Sequence, residues 1–487
     1  LRAIAVVPVI LFHAGLELLS GGFLGVDIFF VISGYLITAI IIEDLETKCF
    51  SLVKFYERRA RRILPALFFV IVCCIPCAWA WMLPSHIKDF SQSLVAVSLF
   101  SSNFLFWIES GYFASISEQK PLLHTWSLAV EEQFYLLFPM FLFLIWRFGR
   151  SRVFLTVVLV AVISLIICEW CWRNWPTANF YLAPTRAWEL LAGSITAFVA
   201  QKHGVRKNNF LSLLGLALVL YSFVAFNSSM PFPSIYSLVP VSGVVLLLLY
   251  AEKETIAAKM LSTRLLTGIG LISYSAYLWH QPLFAFARLQ SLEEPSFFLL
   301  MTLSCLSLAL AFFTWKFIEQ PFRGNEPFFS QNKTLLSLAV SISILFISAG
   351  FAGHFTDGFK TKFQSNIEGD VGTDDFFNYI DAKYKDCESV SIRSGALYWR
   401  KILRCKQTRE GNPDVILLGD SHAEHLYIGL AESMDKKNVA FYIQDGAPYV
   451  TNPKFSRIFH ELTKGNSVKT VVLTMHYNSR VSDSEEL

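Results

Sequence analysis

Apolar residues run in long blocks along most of the chain, at 2–19, 23–42, 63–83, 129–146, 153–172, 187–201, 210–226, 236–250, 266–287, 296–315 and 334–353. Each is close to the ~20 residues that carry a helix across a bilayer. A further apolar stretch, 92–108, is ambiguous. Basic residues settle its reading. Lys and Arg collect around 48–62, 147–152, 202–207, 253–264 and 316–333, whereas the intervening loops at 21–22, 227–234 and 292–296 carry neither. The basic loops are expected to be cytoplasmic, and they alternate only if 92–108 does not cross. That stretch is then a re-entrant or interfacial helix, allowed where protein covers it. The pattern predicts about eleven spans, with the N-terminus inside and everything after residue 354 outside.

Beyond Gly353 the pattern changes, and Asp, Glu, Lys, Asn and Ser return. Residues 354–411 read as a linker plus the start of a soluble domain. From Pro413 the period is α/β, with strands at Val415–Leu418, Val439–Ile443 and Val468–Leu473 and a helix at Ala423–Met434. The chain opens apolar at Leu1, so a few residues are expected upstream, and no cleavable signal peptide is visible.

Composition agrees. Of 487 residues 54% are hydrophobic and only 16% charged, against about a quarter charged in soluble domains. The net charge of +3 gives no footprint for nucleic acid. Cys73, Cys74 and Cys77 lie inside an apolar block without His or Asp partners and read as small buried hydrophobes. Cys387 and Cys405, both in the polar part, are expected to form a disulfide if that part lies outside the cytoplasm. The histidines lack metal-site spacing, so no metal is expected.

Ionisable residues inside apolar blocks are the candidate chemistry. Arg2 and His13 lie about three helical turns apart, on nearly one face. The plain alternative is that Arg2 snorkels to the interface and His13 bonds a carbonyl. Glu131 and Glu132 head the 129–146 block; they point ~100° apart, so only one can face a given His, and Glu131 is preferred. Either the helix N-terminus simply favours these acids, or one holds a His in the right tautomer. Arg58, Arg59, Arg61 and Arg62 form a cluster that can orient the chain or bind phosphates. Arg58 with Arg61, and Arg59 with Arg62, are each one turn apart. Gly419-Asp420-Ser421-His422 follows a strand and precedes a helix, a setting for an exposed nucleophilic serine.

Leu1–Val6 with His13, Gly25–Ile37, the double-Arg run at 58–62, Trp126–Tyr135, Pro184–Leu190 and Tyr274–His280 resemble the membrane-bound acyltransferase-3 family over nearly all of residues 1–325. The extra span and the Gly-Asp-Ser-His turn resemble its subgroup with a fused SGNH hydrolase-like domain, which is similar to bacterial O-antigen and other surface-polysaccharide O-acetyltransferases. The resemblance implies a polytopic α-helical protein of the bacterial inner membrane with an α/β periplasmic domain. It implies an acyltransferase-3 domain at 1–325, an added helix at 326–353, a linker at 354–411 and a partial SGNH-like domain at 412–487. Acetyl-CoA is the implied donor, with Arg2 and the 58–62 cluster near its phosphates. His13, assisted by Glu131, moves the acetyl group; Ser421 is the outer nucleophile position, and Asn478 a candidate oxyanion donor. The acceptor is a polysaccharide or lipid-linked glycan such as O-antigen lipopolysaccharide. The family's Asp-x-x-His is missing after Leu473, so the outer domain is expected to be a fragment or catalytically incomplete. Alternatives are peptidoglycan as acceptor, or a transporter or flippase whose outer domain only binds.

Overall fold

The computed structural model describes residues 1–110, 117–227, 229–291, 294–323, 332–360, 373–388, 393, 395–399, 402–434, 436–444, 448, 452–464, 468 and 470–474. They fall in two compact units, Leu1–Lys362 and Phe363–Leu487.

Every apolar block forms a helix in the first unit. In order these are α1 (Arg2–His13), α2 (Gly25–Glu46), α3 (Leu52–Trp81), α4 (Pro84–Ser98), α5 (Ser102–Glu109), α6 (Thr125–Ile145), α7 (Arg150–Asn174), α8 (Pro176–Tyr181), α9 (Ala183–His203), α10 (Asn209–Ala225), α11 (Leu238–Tyr250), α12 (Ile256–Leu261), α13 (Arg264–Gln290), α14 (Phe297–Thr314), α15 (Gln320–Arg323) and α16 (Asn332–Phe355). Among the described residues, six helical segments are long and apolar enough to cross a membrane, and three more are shorter apolar helices. Several others, α9 and α13 among them, carry buried polar groups.

Two boundaries depart from the sequence reading. The first helix stops at His13, not residue 19. Gly15 takes φ +79, its N–H donates to the Phe12 carbonyl, and the Leu16 N–H donates to that of Leu11. This paired pattern is a Schellman stop, and it makes His13 the last helical residue. The 92–108 stretch is two helices rather than one. Phe100 turns the chain at φ +50, with the same pair of bonds from Phe100 to Val97 and from Ser101 to Ala96. Left-handed backbone at a bulky residue costs about 1–2 kcal/mol. Gln133 holds the turn by donating to the Phe100 carbonyl at 3.0 Å and to Asn103 Oδ1 at 2.8 Å.

The α2–α9 crossing is the tightest feature that positions the site. A Cβ on Gly34 would lie 1.8 Å from the Leu190 carbonyl oxygen, and one on Gly193 would lie 2.0 Å from that of Val31. Only glycine lets the two backbones touch, and this contact carries Asp27 of α2 against Arg186 and Glu189 of α9.

The second unit is an α/β sheet. Its strands are β1 (Lys385–Asp386), β2 (Tyr398–Trp399), β3 (Ile402–Leu403), β4 (Cys405–Gln407), β5 (Val415–Gly419), β6 (Val439–Ile443) and β7 (Thr470–Thr474), with helices α17 (Thr373–Lys383), α18 (Ser421–Ser433) and α19 (Pro453–Lys464). The main sheet runs β1-β4-β6-β5-β7, with β5 parallel to both β6 and β7. Alternate residues feed two cores. Val415, Leu417, Val439 and Phe441 pack with Tyr427; Ile416, Leu418, Ala440 and Tyr442 pack with Phe455. A sheet buried on both faces explains the unbroken apolar runs of β5 and β6. The stretch expected as a linker, 354–411, therefore contributes α17 and β1 to β4. A Cys387–Cys405 disulfide, Cα–Cα 5.4 Å, ties β4 to the turn after β1.

Candidate functional site

Two of the cavities in the first unit hold the candidate residues. The larger, about 790 Å³, is lined by Arg2 of α1, Arg59 and Arg62 of α3, Glu131 and Tyr135 of α6, Ser33 of α2 and Tyr274 and Tyr277 of α13. Arg59 and Arg62 reach it together because they sit one turn apart on one face. Arg58 and Arg61 do not line it. Arg58 is turned outward onto Asp44 at 2.8 Å, and Arg61 pairs with Glu57 at 2.9 Å. A helix turns ~100° per residue, so the four-arginine cluster divides into a cleft pair and an outer pair. Glu131 accepts from Tyr135 Oη at 2.7 Å and from Ser33 Oγ at 3.2 Å. Glu132 faces elsewhere, into a groove with Arg59 and Gln133.

The second cavity, about 460 Å³, is lined by His13, His124, Trp126, Arg186, Tyr277 and Gln281, with Phe23, Val26, Leu123, Phe180 and Phe232. Arg2 and His13 thus face two chambers from one helix, about 16 Å apart along its axis. Val26 and Tyr277 line both chambers. Tyr277 is fixed by its hydroxyl, 2.7 Å from Ser127 Oγ, which also donates to the His124 carbonyl at 3.1 Å.

The surroundings of His13 differ from the sequence expectation. Glu131 is not its partner; its hydrogen bonds lie in the other chamber, because it sits two helical turns into α6. The His13 ring stacks instead on His280, centroids 5.3 Å apart, and His280 in turn meets His124 at 5.6 Å and Tyr277 at 5.2 Å. Arg288 donates to the His13 carbonyl at 3.0 Å, satisfying one of the carbonyls that a helix end leaves open. Arg288 also pairs with Glu118 and Glu294 at 3.2 and 3.3 Å. Sequence reasoning gave His124 and His280 no role, although His280 ends one of the motifs that carried the family resemblance and His124 lies two residues before another. No linear spacing shows that α1, α6 and α13 bring their histidines together.

In the wall of the second cavity Arg186 meets Asp27 at 2.9 Å and Glu189 at 3.4 Å, all three side chains fully buried. The rings of Phe30, Trp126 and Phe232 surround the guanidinium at 5.1–5.6 Å. Such a group is inserted only with its counter-charges beside it.

In the second unit Ser421 opens α18 directly after β5, the strand–turn–helix setting read from sequence. Glu424, one turn on, is ion-paired with buried Arg404; burial still pushes its carboxyl above the usual range. Asn478 and the Met475–Asn478 segment lie outside the described residues. No group of three or more His, Cys, Asp or Glu that could hold a metal occurs among the described residues.

A family model described as an acyltransferase domain matches residues 1–316. The chain belongs to the acyltransferase-3 family. Both chambers lie within this acyltransferase-3 domain, and a model for the SGNH domain fused to such domains matches residues 389–486. Among curated relatives, "O-acetyltransferase OatA" of Staphylococcus aureus (strain MRSA252) is 31% identical over 71% of this chain and 61% of its own. "Peptidoglycan O-acetyltransferase OatA" of Listeria monocytogenes is 31% identical over 67% of this chain and 55% of its own. The chain thus spans less than two thirds of the length of these acyltransferase-3 relatives. No solved structure matches it.

Proposed function

We propose that the protein is a multi-pass inner-membrane O-acyltransferase, carrying an acetyl group from cytoplasmic acetyl-CoA to hydroxyls of a cell-envelope glycan. The observation that carries the reading is the pair of chambers sharing one wall, one basic and one holding His13. Arg2, Arg59 and Arg62 supply forked donors suited to a pyrophosphate. Glu131 leaves that cleft cationic on balance while bonding Tyr135 and Ser33. The thioester end reaches past Val26 and Tyr277 to His13.

There His13 acts as general base. It takes a hydroxyl proton as the oxygen attacks the thioester carbonyl, then returns the proton to the departing thiolate as the C–S bond breaks. In a second stage the hydroxyl of Ser421, at the head of α18, attacks the ester so formed and releases the hydroxyl that carried it; a sugar hydroxyl then takes the acetyl group from the serine ester and restores the Ser421 hydroxyl. This places the N-terminus in the cytoplasm and the SGNH domain in the periplasm, with about eleven crossings. The naming of the Listeria relative as a peptidoglycan O-acetyltransferase supports peptidoglycan as the acceptor over the O-antigen lipopolysaccharide that the sequence resemblance suggested.

The test is ester-linked acetate in isolated cell walls and in purified lipopolysaccharide from cells with the gene intact, deleted, or carrying His13→Ala or Ser421→Ala. Loss from the cell wall on deletion and with both variants is expected. Loss from lipopolysaccharide alone would replace the acceptor. Unchanged acetate after deletion in both fractions would remove envelope glycans as substrates.

A further inference from the structure

The structure leaves a specific gap around His13. Its Nδ1 is buried and makes no well-aligned hydrogen bond among the described residues, although the Val9 carbonyl one turn back acts on the ring, and the Nε2 of His280 is buried and unpartnered as well. Orphaned buried nitrogens are costly, on the order of 1–3 kcal/mol each. The two rings that carry them are stacked neighbours, with centroids 5.3 Å apart and planes at 28°.

The tautomer of His280 follows from its other nitrogen. Nδ1 lies 2.6 Å from the Tyr277 carbonyl oxygen. A carbonyl only accepts, so Nδ1 carries the proton and donates. A neutral imidazole has one N–H, which makes Nε2 a lone-pair acceptor. His280 is fully buried, and that lone pair has no partner among the described residues.

We infer that His280 is the positioning residue for His13, accepting a hydrogen bond from His13 Nδ1–H. Rotation about the soft χ2 of His13 closes the pair while His280 keeps its bond to the Tyr277 carbonyl. The assignment continues through His13. With its proton on Nδ1, the lone pair sits on Nε2, the nitrogen left for the reacting hydroxyl. When Nε2 takes the proton, the positive charge on His13 is held against the His280 lone pair, and no proton passes to His280. The logic is that of a base oriented by a third group, with an imidazole backed by a backbone carbonyl in the orienting place. The Arg288 bond to the His13 carbonyl fixes the backbone end of the same unit. Glu131, occupied by Tyr135 and Ser33, is not needed for it.

The inference rests on the acyl-transfer reading, and the experiment separates the two. Full-length protein in detergent is assayed for transfer of labelled acetyl from acetyl-CoA to chitopentaose, with wild type, His13→Ala, His280→Phe and His280→Gln. Gel filtration and thermal unfolding confirm that each variant is folded. Phe keeps the ring volume and removes the lone pair; Gln returns an acceptor oxygen near the Nε2 position. The expected result is a fall in kcat of about 10- to 100-fold for His280→Phe, a loss typical of an orienting partner. KM for acetyl-CoA is unchanged, and His280→Gln regains about tenfold over His280→Phe. Equal rates for Phe and Gln, a Phe variant as fast as wild type, or a change confined to KM overturns the pairing. Transfer that survives His13→Ala overturns the acyl-transfer reading itself.

Discussion

Replacing Arg186 by Met tests the buried ion cluster most sharply. The guanidinium sits 2.9 Å from Asp27 and 3.4 Å from Glu189, with no exposed surface on any of the three. Met fills much of the volume but strands two acids in an apolar interior. Breaking a buried pair by removing one partner costs about 3–5 kcal/mol. Losing the contacts with Phe30, Trp126 and Phe232 adds about 1 kcal/mol. At roughly 2 °C per kcal/mol for a large domain, Tm should fall by on the order of 10 °C. Glu189→Gln is the internal control. One guanidinium faces two carboxyl groups, so Asp27 still pairs with it, and the amide can accept from one neighbour and donate to the other. That variant should lose no more than about 1.5 kcal/mol, or roughly 3 °C. The assay is thermal unfolding of full-length protein in detergent, followed by fluorescence-detected gel filtration. Equal losses for the two variants would refute the charge argument and leave only packing; a stable Arg186→Met would refute the cluster's structural role altogether.

Three further outcomes follow from the geometry. Arg59→Gln and Arg62→Gln should each raise KM for acetyl-CoA about tenfold or more, the worth of a lost charged hydrogen bond, whereas Arg58→Gln should leave it within about twofold because that side chain is exposed on Asp44; initial-rate kinetics read the difference. Gly353→Leu should loosen α16 from α4, since even a Cβ there lies 2.0 Å from Ser91 Oγ; a loss of about 1–3 kcal/mol should appear as a lower Tm. Cys387→Ser opens a disulfide of sequence separation 18 and should remove about 3 kcal/mol, measured as a less stable second-unit transition in the full chain and as loss of its sensitivity to reductant.

How far the sequence was legible depends on the range of the interaction. Each apolar block became a helix because burial in an apolar medium needs only length and composition. The strands β5 and β6 were equally plain, as unbroken apolar runs between turn residues. Short elements escaped. β1, β2 and β3 have two residues each, too few to show a period, so their stretch looked like linker. Helix ends set by backbone bonds alone were misplaced, as at His13, where Gly15 was the available cue. In the site, Arg2, His13 and Glu131 were legible because charge inside an apolar run is conspicuous, and Arg59 and Arg62 because they belong to a dense basic cluster beside one. Their pairing was not. Glu131 appeared a natural partner for His13, yet the partner of a buried ring depends on how α1 and α13 cross, a contact spanning more than 260 residues of chain.

The wall shared by the two chambers has an electrical meaning. Val26 and Tyr277 each present one side to the basic cleft and another to the His13 cavity, so the two chambers are separated by about one side chain. Under the proposed topology most of the membrane voltage then drops across that short partition rather than across the full ~30 Å of hydrocarbon. A neutral acetyl group moving past Tyr277 does no electrical work there, whereas a proton or a phosphate crossing the same distance would do nearly all of it. Under the proposed function and topology, such a partition would let acetyl transfer run in an energised membrane without discharging it.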